Sequence, residues 1–116
     1  MADLLSRSGL LVSDIQQILE ATRTLPEVRQ LILFGSRAKG TYKAGSDVDL
    51  AIKGDAVTYE MVIHLADQLN EEKRMPYFFD VVNYHTINEP RLVDHIDRVG
   101  VVLFDRDAEN LGKMTL

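Results

Sequence analysis

Two acids set two residues apart behind a glycine-serine turn constrain this chain more than any other feature. The stretch Leu31 to Lys53, LILFGSRAKGTYKAGSDVDLAIK, opens with an apolar run from Leu31 to Phe34 and breaks at Gly35-Ser36. It then crosses a basic, glycine-bearing loop and closes on a second apolar run carrying Asp47 and Asp49. A strand repeats its side-chain direction every two residues, so both carboxylates share one face while Val48 and Leu50 share the other. Adjacent acids on a largely apolar strand repel each other and lose hydration, which is costly until a positive group neutralises them. A divalent cation answers that need. Mg²⁺ suits such a position, because it takes a few carboxylates and completes its octahedron with water and substrate phosphate.

The first half of the stretch is equipped for that phosphate. Gly35 has no Cβ, so a bulky anion can approach the backbone closely. Ser36 supplies a hydroxyl and can cap a helical turn through Arg37, Ala38 and Lys39, whose first N–H groups form an anion site. Arg37, Lys39 and Lys43 place positive charge nearby, and the sequence does not decide which of them contacts phosphate. Phosphate groups at one end and metal ligands at the other are the equipment of phosphoryl or nucleotidyl transfer.

Gly35-Ser36, ten intervening residues, then Asp47-Val48-Asp49 resembles the signature of the nucleotidyltransferase superfamily that includes the DNA polymerase β-like enzymes. Those enzymes place a third acid on a later strand. Here the run Tyr77 to Tyr84, YFFDVVNY, offers Asp80 among aromatic and β-branched residues.

Length and composition bound the rest. One hundred and sixteen residues make one domain, expected over 1–116, with a net charge of -5 that lacks the basic face of a typical nucleic-acid binder. An acidic chain fits a protein acceptor better than a nucleic acid. No cysteine is present, which excludes disulfides, thiolate catalysis and cysteine-ligated zinc. With no signal-peptide core and no apolar run long enough to span a bilayer, a cytoplasmic protein without a membrane partner is expected.

Met1 to Gly9 reads as a loose lead-in, though Leu4, Leu5, Leu10 and Leu11 could form a short docking turn. Ser13 and Gln16 suggest a capping box, followed by a helix with Ile15, Ile18, Leu19 and Thr22 on one face, ending before Pro26. Strands follow at about 28–34 and 47–53, separated by the short turn after Ser36 and the loop from Gly40 to Ser46. Thr58 can cap a second long helix through about Lys73, with Met61, Val62, Leu65, Ala66 and Leu69 on its buried face. Pro76 marks a break before a strand over 77–82. Pro90 suits the first turn of a last helix that buries Leu92, Val93, Ile96 and Val99 and stops at Gly100. A strand over 101–104 and a polar tail from Asp105 to Leu116 complete an α/β order. This predicts a small mixed sheet of about four strands backed by helices on one face. His64, His85 and His95 show no zinc spacing and receive no role. Tyr42 lies in the active loop, where it could stack on a base but reads more simply as a packing residue, and Glu71 to Arg74 reads as a solvated helix end.

The resemblance implies more than spacing can. Asp47 and Asp49 would hold two Mg²⁺ ions, and Asp80 would ligate the second ion and take a proton from the acceptor hydroxyl. Gly35 and Ser36 would clasp the β- and γ-phosphates of ATP, helped by Arg37, Lys39 or Lys43. Larger relatives add a second domain over the base and acceptor, for which this chain has no room. It is therefore most similar to the minimal nucleotidyltransferases, the MNT antitoxins encoded beside HEPN-domain RNases. For these the resemblance implies AMP transfer to a tyrosine hydroxyl of the partner toxin, with a hetero-oligomer as one possible assembly. Two alternatives stay open: nucleotidyl transfer to a small hydroxylated molecule such as an aminoglycoside, and a non-catalytic antitoxin that masks its partner through the Val101–Phe104 edge or the N-terminal leucines.

Overall fold

The computed structural model describes residues 2–109 and orders them as α1 (Ala2–Ser8), α2 (Val12–Arg23), β1 (Gln30–Phe34), α3 (Gly35–Lys39), β2 (Val48–Lys53), α4 (Tyr59–Asp67), β3 (Phe79–Asn83), α5 (Pro90–Val99) and β4 (Val101–Asp105). The sheet order is β3-β2-β1-β4. β1 runs antiparallel to both β2 and β4, and β2 runs parallel to β3. The four-stranded mixed sheet is therefore the expected architecture.

Period-two burial along the central strands organises everything else. Leu31, Leu33, Val48, Leu50 and Ile52 are fully buried on one face, where Ile15, Ile18, Leu65 and Leu69 from the α2 and α4 segments complete the main core. Ile32, Phe34 and Ala51 point the other way and meet Ile96 and Leu92 of α5. Helices thus pack on both faces, not on one. The reason lies in α5: Ile96 is its one fully buried residue, and Leu92, Val93 and Val99 are half-buried. Such a narrow stripe covers a small patch of sheet and leaves the rest of that face open.

Several ends differ from expectation for local reasons. The first residues form a helix whose Leu4 and Leu5 pack against the main core. α2 begins at Val12, capped from within by the Asp14 carboxylate, which accepts the Leu11 N–H at 2.9 Å; Ser13 stays exposed. Thr58 does cap α4 through Oγ1, accepting from Met61 N–H at 3.3 Å. The helix passes into a π-helical turn at Gln68–Glu72. Met61 is only half-buried, because Leu65 and Leu69 occupy the core positions instead. Glu89 caps α5, with Pro90 in its first turn. Gly100 ends it in extended backbone, where a Cβ would crowd Ile96 O and Ile32 Cγ2. Asp105 closes β4 and 106–109 is helical, while 110–116 of the anticipated tail lies outside the described residues.

Candidate active site

β1 ends at Phe34, whose partner across the antiparallel ladder is Asp49. Gly35 follows with φ +75°, a left-handed conformation that favours glycine, and a Cβ there would overlap Asp49 Oδ2. Two features therefore require glycine at this position: the turn itself and the carboxylate packed against it. The close approach that a missing Cβ permits is taken here by one of the chain's own acids, where the sequence alone suggested a bound anion.

On the other side of β2, the parallel register sets Asp49 directly beside Asp80 of β3. Neighbouring strands lie about 4.8 Å apart, and register partners project to the same face, so the two carboxylates are forced together. Asp47 sits just before β2 and is exposed; Asp80 is exposed and Asp49 half-buried. Burial, then the negative charges of Asp80 and Asp47, push the Asp49 carboxyl from 3.8 up to about 6. Among the described residues, no ion pair reaches any of the three acids.

A half-buried carboxylate destabilised by two others, with no protein cation beside it, is a donor set of hard oxygens short of positive charge. Such a set fits Mg²⁺. Among the described residues, no three acidic or histidine side chains are grouped closely enough to hold a metal ion by themselves. An ion held here would need further oxygens from water or from a phosphate.

The basic residues divide. Arg37 is buried at 3 % exposure. Its Nη1 donates to Ser8 O at 2.7 Å, while Nε and Nη2 donate to Ser46 O at 3.2 and 3.0 Å. Its guanidinium also stacks 4.8 Å from the ring centres of both Tyr42 and Tyr77. Those contacts clamp the Gly40–Ser46 loop onto the end of α1 and leave the guanidinium turned away from solvent. Lys39 and Lys43 are exposed. Tyr42 packs on Arg37 and fills the space beside Gly9, where a Cβ would overlap its ring. Tyr77 reaches Asp14 with its hydroxyl at 2.7 Å, and burial followed by that hydrogen bond raises its phenol to about 12.

One residue without a sequence-based role joins the site. The Gly35 N–H donates to His95 Nε2 at 3.0 Å, and the imidazole stands edge-on to Phe34 at 6.2 Å. His95 lies one residue before the single buried position of α5, so the helix that covers the second face also pins the glycine-serine turn. His85 plays a comparable part elsewhere, accepting the Gly54 N–H at 3.2 Å.

A four-stranded mixed sheet in this order is that of a nucleotidyltransferase catalytic domain, and it sets Asp49 beside Asp80 against the Gly35 turn. The chain belongs to the polymerase beta nucleotidyltransferase family, whose model matches residues 15–109. It resembles a solved toxin–antitoxin complex with AMP-PNP at 24 % identity and TM-score 0.67, covering 87 % of this chain and 82 % of that chain. It also resembles a chain in the complex of tri-AMPylated Shewanella oneidensis HEPN toxin with MNT antitoxin, at 20 % identity and TM-score 0.62, over 85 % of this chain and 76 % of that chain. A further likeness is to the MntA–HepT toxin–antitoxin complex, at 19 % identity and TM-score 0.63, over 87 % and 79 % of the two chains. At these identities the likeness is one of fold. No curated protein matches the chain.

Proposed function

We propose that this protein, acting as a single domain over 1–116, transfers AMP from ATP to a hydroxyl of a partner HEPN-type RNase toxin, with tyrosine as the acceptor, and so serves as its antitoxin. The observation that carries this is the forced pairing of Asp49 with Asp80 against the Gly35 turn. Family membership supplies the reaction type, and the antitoxin likenesses supply the partner class.

Asp47, Asp49 and Asp80 would hold the two Mg²⁺ ions. Bound there, the ions would neutralise phosphate charge and lower the pKa of a coordinated hydroxyl. Ser36 and the start of α3 would receive the β- and γ-phosphates, with Lys39 and Lys43 as the exposed cations nearby. Arg37 would act by holding the loop that presents Asp47, since its donors already serve Ser46 and Ser8. Asp80 would accept the proton as the hydroxyl oxygen bonds to the α-phosphorus and the bond to pyrophosphate breaks. His95 would act as a positioning residue, fixing Gly35 so that Ser36 faces the triphosphate.

The test uses α-labelled ATP, Mg²⁺ and the protein encoded beside this chain. Label appearing on that protein with the native chain, and not with folded Asp49→Asn, is the expected result. Native protein that binds ATP but labels no polypeptide, while conferring aminoglycoside resistance, would move the acceptor to a small molecule. Full protection of cells by Asp47→Asn, Asp49→Asn would make masking, not transfer, the antidote.

A further inference from the structure

β3 is an edge strand, and its outer side is built unevenly. Val48 N–H donates to Phe78 O at 2.9 Å, and the register pairs Val48 with Phe79 and Asp49 with Asp80. In a parallel ladder, alternate residues turn both backbone groups toward the same neighbour. Phe78, Asp80 and Val82 therefore bond β2, while Phe79, Val81 and Asn83 turn their groups outward.

At Phe79 the outward pair is already satisfied. Asn70 Nδ2 donates to Phe79 O at 2.9 Å, and Phe79 N–H donates to Asn70 Oδ1 at 2.8 Å. A side-chain amide thus imitates the next strand and closes the edge there. Asn83 O accepts from Thr86 Oγ1 at 3.3 Å. Between them, Val81 N–H and C=O have no partner among the described residues. They lie on an open cavity of 660 Å³ whose walls include Tyr59 and Val62 on one side and Ile87 and Leu92 on the other.

We propose that this cavity seats an extended segment of the partner polypeptide, which pairs with Val81 as an added strand and carries the acceptor hydroxyl to Asp80. The occupant follows from the floor of the groove. An unpaired strand edge in an apolar cleft is matched by another backbone, with a side chain in the pocket. The segment stays short, because Asn70 blocks its extension past Phe79. Its placement also follows: a strand one spacing from β3, about 4.8 Å away, sets one residue opposite Asp80 on the sheet face that carries the acids. The residue two positions away on that face lies opposite Val82, beside Leu92 and Ile87. The acceptor is thus an extended segment with a hydroxyl residue and an apolar residue two apart. The role assigned to the hydroxyl rests on the proposed transfer; the strand pairing does not.

Amide hydrogen exchange of the ¹⁵N-labelled full chain tests the pairing directly, with the protein encoded beside it as the probe. Val81 N–H is expected to exchange at least tenfold more slowly in the complex, with little change from Mg²⁺ and AMP-PNP alone. In transfer assays, Val81→Pro removes the outward N–H, and it also trims a core side chain that is 8 % exposed and restricts the backbone at Asp80. Tyr59→Glu charges a wall residue that is 73 % exposed, so it remains informative if the proline variant does not fold. Tyr59→Glu is expected to raise KM for the polypeptide at least tenfold, with kcat and KM for ATP within about twofold of native. Unchanged Val81 exchange in the complex overturns the proposal. So does protection by AMP-PNP alone, which assigns the groove to a nucleotide, or by raised protein concentration alone, which assigns it to a second copy. A native chain that labels no polypeptide refutes the transfer reading, while Val81 exchange still decides the pairing.

Discussion

The two faces of β2 are opposite solutions written into six consecutive residues. Val48, Leu50 and Ile52 are fully buried and make the strand part of a dry core. Asp49, on the other face, shares its surroundings with Asp80 and Asp47 and is raised to about 6 by burial and their repulsion. The apolar side chains lower the free energy of the fold; Asp49 raises it and holds that excess where a charged ligand can relieve it. Alternation of side chains lets a single strand do both, because the strained carboxylate is rigidly backed by close-packed residues.

Disabling the chemical face alone should have the largest effect. Asp49→Asn is expected to lower transfer by about 10³-fold, the scale of losing a preorganised electrostatic stabiliser, while the thermal melt still shows a folded protein. Gly35→Ala should do the same by a different route, since a Cβ strains the turn and displaces Asp49; a crystal structure or AMP-PNP titration would register the loss of nucleotide binding. Disabling the structural face should invert the pattern. Leu50→Ala is expected to cost about 3 kcal/mol in urea unfolding, with kcat per folded molecule nearly unchanged.

A smaller effect falls at the junction of the two faces. His95→Phe keeps ring packing on Phe34 but leaves the Gly35 N–H without its acceptor. KM for ATP should rise several-fold in steady-state assays with a lesser change in kcat, and His95→Gln, which restores an acceptor, should recover most of it. The smallest effect concerns pH. Because the folded state holds Asp49 above its ordinary value, its contribution to stability should be fully present below that value of 3.8 and be lost as pH rises through about 6. Allowing for solvent screening, the loss is about 1 kcal/mol. The difference between the denaturation midpoints of native and Asp49→Asn protein, followed from acid to neutral pH, would reveal it, since Asp105 and other groups titrate alike in both.

Local pattern carries much of this molecule. The Gly35-Ser36 turn, the period of β2 and an acid within YFFDVVNY are all legible in the sequence, because each depends on neighbours a few residues away. What stays hidden depends on contacts across the chain. Arg37 reads as a free cation in a basic loop, yet two tyrosines and the carbonyls of Ser8 and Ser46 enclose it. His95 receives no role from the sequence, and its hydrogen bond spans 60 positions. The placement of α5 on the second face is equally hidden, since an amphipathic stripe says that a helix packs but not on which side of a sheet. Tyr42, an aromatic residue in the same loop, is the available hint for Arg37; nothing comparable marks His95.

At the centre of the site stands a repulsion among acids that a cation and a triphosphate relieve. Carboxyl ¹³C NMR titration of Asp49 tests it most directly, in the free protein and with Mg²⁺ and AMP-PNP. A midpoint near 6 in the free protein, moving to the ordinary carboxylate range or below when both ligands are added, is the expected result. A free-protein midpoint at the ordinary value of 3.8, or one that ignores Mg²⁺ and AMP-PNP, would contradict it.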